Sequence, residues 1–84
     1  MRTAALLIAL ALAGCVNPER VRRDVADQPP AFQDGYVDGC SSGRRAGGED
    51  AFKFRKDLNR YDVDRLYRSG WEDGFKVCRS RSLS

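Results

Sequence analysis

The sequence predicts a small, mainly α protein: a disulfide-stapled helical hairpin packed through glycine faces, preceded by a cleaved leader and a flexible tether. Three observations predict it. Two stretches 35 residues apart share one pattern of aromatic, Gly and Asp residues, Phe32-x-x-Gly35-Tyr36-x-Asp38-Gly39-Cys40-x-x-Gly43 and Tyr67-x-x-Gly70-Trp71-x-Asp73-Gly74-Phe75-x-x-Cys78. Counted from the first aromatic of each copy, the aromatic, Gly and Cys positions fall at 0, 3, 4, 7, 8 and 11, which is one face of an α-helix. Each copy also carries one cysteine, Cys40 or Cys78.

The chain begins with a leader. Arg2 supplies one positive charge, Ala4 to Leu12 is an unbroken run of nine apolar residues, and small residues follow, the layout of an export signal. A membrane-spanning helix needs roughly 20 apolar residues, so this run is not a permanent anchor. Where it ends, Leu12-Ala13-Gly14-Cys15 resembles the lipobox of bacterial lipoproteins. The resemblance implies that residues 1–14 are removed as a signal peptide. It also implies that the thiol of Cys15 receives a diacylglyceryl group and its freed amine an acyl chain such as palmitate. Two or more acyl chains, at about 0.8 kcal/mol per buried methylene, hold a protein durably at a membrane, whereas one holds it marginally. Val16, where an Asp would signal retention in enteric-type sorting, implies an outer-membrane protein facing the periplasm of the cell envelope. The competing reading is an ordinary cleaved signal in which Cys15 is incidental.

Residues 15–30 form the lipidated N-terminus and tether. Asn17-Pro18, the charged clusters Glu19-Arg20 and Arg22-Arg23-Asp24, and Pro29-Pro30 leave little to bury, so a solvated spacer is expected, with room for one helical turn around Arg20 to Asp27. Arg20, Arg22 and Arg23 sit where they could touch anionic head groups, each worth about 1 kcal/mol near such a surface.

The folded domain spans 31–79. All eight aromatic residues lie between Phe32 and Phe75, which locates the apolar core. The first helix can start after Pro29-Pro30, which suit a first turn, and end near Ala46-Gly47-Gly48, where the glycines stop it. Interior glycines cost about 1 kcal/mol each relative to Ala. Gly35, Gly39, Gly43, Gly70 and Gly74 therefore point to helix packing, because glycines four apart leave a groove that a second backbone can enter. A rival reading makes Asp38-Gly39 and Asp73-Gly74 the turns of two β-hairpins, but alternation around them is poor. Between the copies, Glu49 to Tyr61 reads as a mostly irregular connector, with a short helix or strand open, that lays Phe52, Phe54 and Leu58 over the helix pair. The second helix can begin with Asp62 or Asp64 as N-cap and run to about Arg79, leaving 80–84 as a disordered tail.

With Cys15 committed to lipid, Cys40 and Cys78 remain, and an even pair in an oxidising envelope reads as a disulfide. Buried free thiols and a redox pair are the alternatives. A bridge closing about 39 residues stabilises by roughly 4 kcal/mol in the chain-entropy model, much of what so small a core can supply.

The composition narrows the function classes. The chain has 84 residues and no histidine, so imidazole general acid-base chemistry and imidazole metal ligation are absent. Ser41, Ser42 and Ser69 have no base placed beside them in the sequence, and Asp38 with Asp73 is the one carboxylate pair worth considering. No catalytic residue, no metal ligand and no cofactor is expected. Leaving out Arg2, fourteen Lys and Arg face twelve Asp and Glu, a net charge of +2. Basic residues mixed with aromatics over Lys53 to Arg68 would suit nucleic acid in a cytosolic protein, but export argues against that partner. Gly35 to Cys40 together with Gly70 to Phe75 resembles small predicted lipoproteins of proteobacteria that have no assigned activity, a likeness covering Phe32 to Arg79. The expected function is a lipid-anchored envelope protein with a structural or protein-interaction role, its partners the membrane, through the anchor, and an envelope protein or cell-wall component. The alternative is a bilayer-perturbing, lysis-type lipoprotein.

Overall fold

A computed structural model describes residues 18–83. The signal peptide expected over 1–14, the lipobox and the lipidation site Cys15 lie outside the described residues. Among the described residues four helices follow one another: α1 (Pro18–Arg23), α2 (Pro30–Ala46), α3 (Leu58–Val63) and α4 (Arg65–Leu83). No strand occurs among the described residues, so Asp38-Gly39 and Asp73-Gly74 lie inside helices and turn no hairpin.

Local chemistry sets each boundary. Pro30 opens α2, following an extended Pro29. The helix closes on a Schellman motif: the Glu49 N–H donates to the Arg44 carbonyl at 3.0 Å and the Gly48 N–H to the Arg45 carbonyl at 3.0 Å. Gly48 takes φ +102°, a conformation that needs glycine. Asp57 caps α3 by accepting from the Arg60 N–H at 3.1 Å. Asp64 ends α3 and starts α4, its Oδ1 accepting from the Leu66 and Tyr67 N–H groups at 3.1 and 3.2 Å.

The core is the contact between α2 and α4, where backbone meets backbone at the glycines and Tyr36, Tyr67, Trp71 and the two cysteines are buried beside it. A Cβ placed on Gly35 would be driven into the Tyr67 carbonyl oxygen, one on Gly39 into that of Trp71, and one on Gly43 into that of Phe75. In return, Gly70 lies against the Phe32 carbonyl and Gly74 against that of Tyr36. These partners advance together along the chain, so the two helices run parallel, and residues 47–64 carry the chain back to start α4 beside the start of α2. An antiparallel pair joined by a short turn would show the opposite order.

The reciprocity is that of a two-fold axis along the helix pair. The first glycine of each copy meets the carbonyl of the other copy's leading aromatic, and the second meets the carbonyl of its second aromatic. Parallel helices meeting through small residues four apart come close enough for Cα–H groups to face carbonyl oxygens, which offsets the propensity lost at each glycine. The disulfide locks the same contact, joining Cys40 to Cys78 with their Cα atoms 5.0 Å apart.

Two described stretches, 18–30 and 80–83, are more ordered than the sequence suggests. Part of the expected tether, 18–30, is structured: α1 and the turns behind it lie on α2, where Arg22 donates to Asp34 at 2.9 Å and Gln33 donates to the Gln28 carbonyl at 2.7 Å. Of the tail expected to be disordered over 80–84, residues 80–83 are instead helical, since α4 continues to Leu83. The Ser82 hydroxyl donates to Glu49, whose carboxylate also pairs with Arg44 at 3.3 Å. The end of α4 is thereby tied to the turn that closes α2.

Candidate functional site

The connector is held by hydrogen bonds to its own backbone more than by its apolar side chains. Ser42, fully buried, accepts from the Arg55 N–H at 2.7 Å, and its hydroxyl lies 2.8 Å from the Arg55 carbonyl and 2.9 Å from that of Asp38. Ser41 donates to the Lys53 carbonyl at 2.6 Å, and the Trp71 indole N–H donates to the Arg55 carbonyl at 2.7 Å. The Tyr67 hydroxyl donates to Asp38 at 2.7 Å and accepts from the Asp57 N–H at 3.0 Å. Burial, followed by the hydrogen bond to the Asp38 carboxylate, pushes the Tyr67 phenol from its usual 10 up to about 12.

Of the three apolar residues expected to cover the helix pair, Leu58 does not: it is 69% exposed. Phe54 touches Trp71 only edge-on, with ring centres 5.8 Å apart, and Phe52 is half-buried beneath the Arg44 guanidinium, 5.1 Å from its ring centre. The intervals that put Phe54 and Leu58 on one face assume a helix through both, but α3 begins only at Leu58. Lys56 fills the space that remains, its Nζ 3.8 Å from the centre of the Tyr61 ring and 4.4 Å from that of Trp71.

Beside this clamp lies a cleft of about 570 Å³, open to the surface between α1, the outer face of α2, the connector and the last turns of α4. Its apolar lining comes from Val21, Val37, Ala51, Phe52 and the Cys40–Cys78 disulfide. Five basic residues line it, Arg20, Arg44, Lys53, Arg55 and Arg81, against two carboxylates, Asp24 and Asp38. Asp38 is already engaged by the Tyr67 hydroxyl and Arg44 by Glu49. Arg20, Lys53 and Arg55 make no ion pair among the described residues. The excess of positive charge at the rim therefore comes from the first turn of α1 and from the connector.

The residues singled out in the sequence fall into three groups. Gly35, Gly39, Gly43, Gly70 and Gly74 lie together at the α2–α4 contact, and Cys40 and Cys78 join as a disulfide beside them. Asp38 and Asp73 do not come together as a working pair: Asp38 is bound by Tyr67, and Asp73 is exposed one helical turn before Val77. Among the described residues no group of three or more His, Cys, Asp and Glu side chains is placed to hold a metal ion. Sequence reasoning missed Ser41, Ser42 and Tyr67 as clamp residues. The paired serines, polar next to a glycine face, were the available signal. Comparison with protein-family models, curated proteins and solved structures found no match to this chain.

Proposed function

We propose that the chain is a lipid-anchored protein of the bacterial cell envelope with a structural or protein-interaction role, fixed to the outer membrane through Cys15 and displaying its helical domain to the periplasm. The observation that carries this reading is the run from Arg2 through Ala4–Leu12 to Leu12-Ala13-Gly14-Cys15, set directly ahead of a domain whose remaining two cysteines are bonded to each other. A disulfide between the two long helices suits an oxidising compartment.

The domain has the build of a rigid display unit. Among the described residues no buried side-chain nitrogen or oxygen lacks a hydrogen-bond partner, and the central contact admits no side chain. Asp38, an acid lining the cleft, is spent on accepting from the Tyr67 hydroxyl that holds the connector, which favours a binding role over general acid-base work. No helix among the described residues is long and apolar enough to cross a membrane.

Intact mass of the protein purified from its host, with and without reduction, tests the reading. The expected result is loss of residues 1–14, a lipid-sized increment on Cys15, and two thiols that appear only after reduction. An unmodified Cys15 overturns the anchored reading. Release of dye from anionic vesicles by the purified protein would instead support the bilayer-perturbing alternative.

A further inference from the structure

We infer that the cleft between α1 and the connector is a binding site for the headgroup of an anionic membrane phospholipid. The inference rests on the lipid-anchored reading, because the anchor brings the cleft to the right depth. Pro18 lines the cleft and lies three residues after Cys15, so the chain between them spans at most about 11 Å. A lipid attached at Cys15 therefore keeps the cleft mouth within reach of neighbouring headgroups.

The lining chemistry fits an amphiphile with a negative head. Arg20, Lys53 and Arg55 offer charge that no carboxylate among the described residues neutralises. Val21, Val37 and Phe52 offer apolar surface for the carbon atoms next to the phosphate. The volume of about 570 Å³ suits a headgroup with its glycerol and the first methylenes of a chain. A zwitterionic headgroup would bring a quaternary ammonium against three cations, so the site discriminates by charge as well as by shape. The opposite flank of the connector does not offer this: its lysine, Lys56, already lies on Tyr61 and Trp71.

Native mass spectrometry of the full protein, purified in a non-ionic detergent and titrated with dihexanoyl phosphatidylglycerol, dihexanoyl phosphatidylcholine or inorganic phosphate, tests the assignment. One phosphatidylglycerol per chain is expected, retained at least about tenfold better than phosphatidylcholine. The triple variant Arg20→Glu, Lys53→Glu, Arg55→Glu should lose that retention by at least about tenfold. The control Arg65→Glu, Lys76→Glu, Arg79→Glu makes the same charge change away from the cleft and should stay within about twofold. Circular dichroism and the disulfide mass verify that both variants fold.

Equal retention of the two lipids, an equal loss in the control, or competition by inorganic phosphate at the lipid's own concentration overturns the proposal. So does retention of neither lipid, which would leave the cleft to residues 15–17 or to a protein partner. The mass of Cys15 in the same sample reports separately on the anchor, so failure of the headgroup site and failure of the lipoprotein reading are told apart.

Discussion

The two sides of α2 are held by opposite means. On the side facing α4, glycines let two backbones touch, and nothing between them can move aside. On the side facing the connector, Ser41 and Ser42 reach backbone groups one hydrogen bond at a time. The first contact depends on what is absent, since any added atom meets a carbonyl; the second depends on what is present, since any lost hydroxyl strands a partner. A region of the first kind should fail all at once and a region of the second kind by increments.

Substitution at the glycine contact is expected to have the largest effect. Gly39→Leu forces side-chain atoms into the Trp71 carbonyl and should remove the about 5 kcal/mol available to a domain of this size. Absence of a cooperative thermal transition by circular dichroism would be the readout; a transition within a few degrees of wild type would mean that the helices separate cheaply. Next comes Cys40→Ser with Cys78→Ser, which should lower stability by about 4 kcal/mol in urea denaturation.

The connector side follows with smaller steps. Tyr67→Phe removes the hydroxyl that bridges Asp38 and Asp57 and should cost about 2 kcal/mol. It carries a pH signature as well. The folded phenol titrates higher than the unfolded one, so this contribution is complete below pH 10 and is lost as the pH rises towards about 12. Denaturation midpoints measured across that range should fall more steeply for wild type than for Tyr67→Phe.

Ser42→Ala leaves the Arg55 N–H without its acceptor and should cost about 1.5 kcal/mol, with faster amide exchange at Arg55 and little change within α4. Smallest is Lys56→Met, which keeps the stem but removes the charge over Tyr61 and Trp71, at about 1 kcal/mol in the urea midpoint. If Ser42→Ala proved as damaging as Gly39→Leu, the two sides would form one cooperative contact and the distinction would collapse.

What could be read from the sequence follows the same divide. The glycine face announces itself because periodicity is a local signal: positions 0, 3, 4, 7, 8 and 11 of each copy select one side of a helix, and the structure finds α2 and α4 packed there. Asp64 as a cap and the stop at Gly47-Gly48 are likewise written in neighbouring residues. Direction was the less visible part. Equivalent glycines can meet equivalent carbonyls only when the copies run the same way, but a loop length alone does not announce that.

The clamp escaped because it pairs side chains with backbone groups of an irregular segment, where no period exists to detect. Leu58 misled because helical spacing was counted across a stretch that becomes helical only at its last residue. The order in 18–30 rests on contacts such as Arg22 with Asp34, twelve residues further along the chain, which composition cannot reveal. The cleft belongs to the same class: Arg20, Lys53 and Arg55 are scattered in sequence and meet only because α1 and the connector flank the same side of α2.

The shared direction of α2 and α4 also gives the molecule an electrical axis. Antiparallel helices cancel their macrodipoles, whereas parallel ones add them, each end carrying about half an elementary charge. The end where both helices start is therefore positive, and at the start of α4 the Asp64 carboxylate accepts from the otherwise free Leu66 and Tyr67 N–H groups. The end where both helices finish is negative, and Arg44, Arg45 and Arg81 occupy the last turns. At the end where both helices finish, these side-chain charges run opposite to the summed backbone field, which offsets part of the repulsion between two parallel helix dipoles.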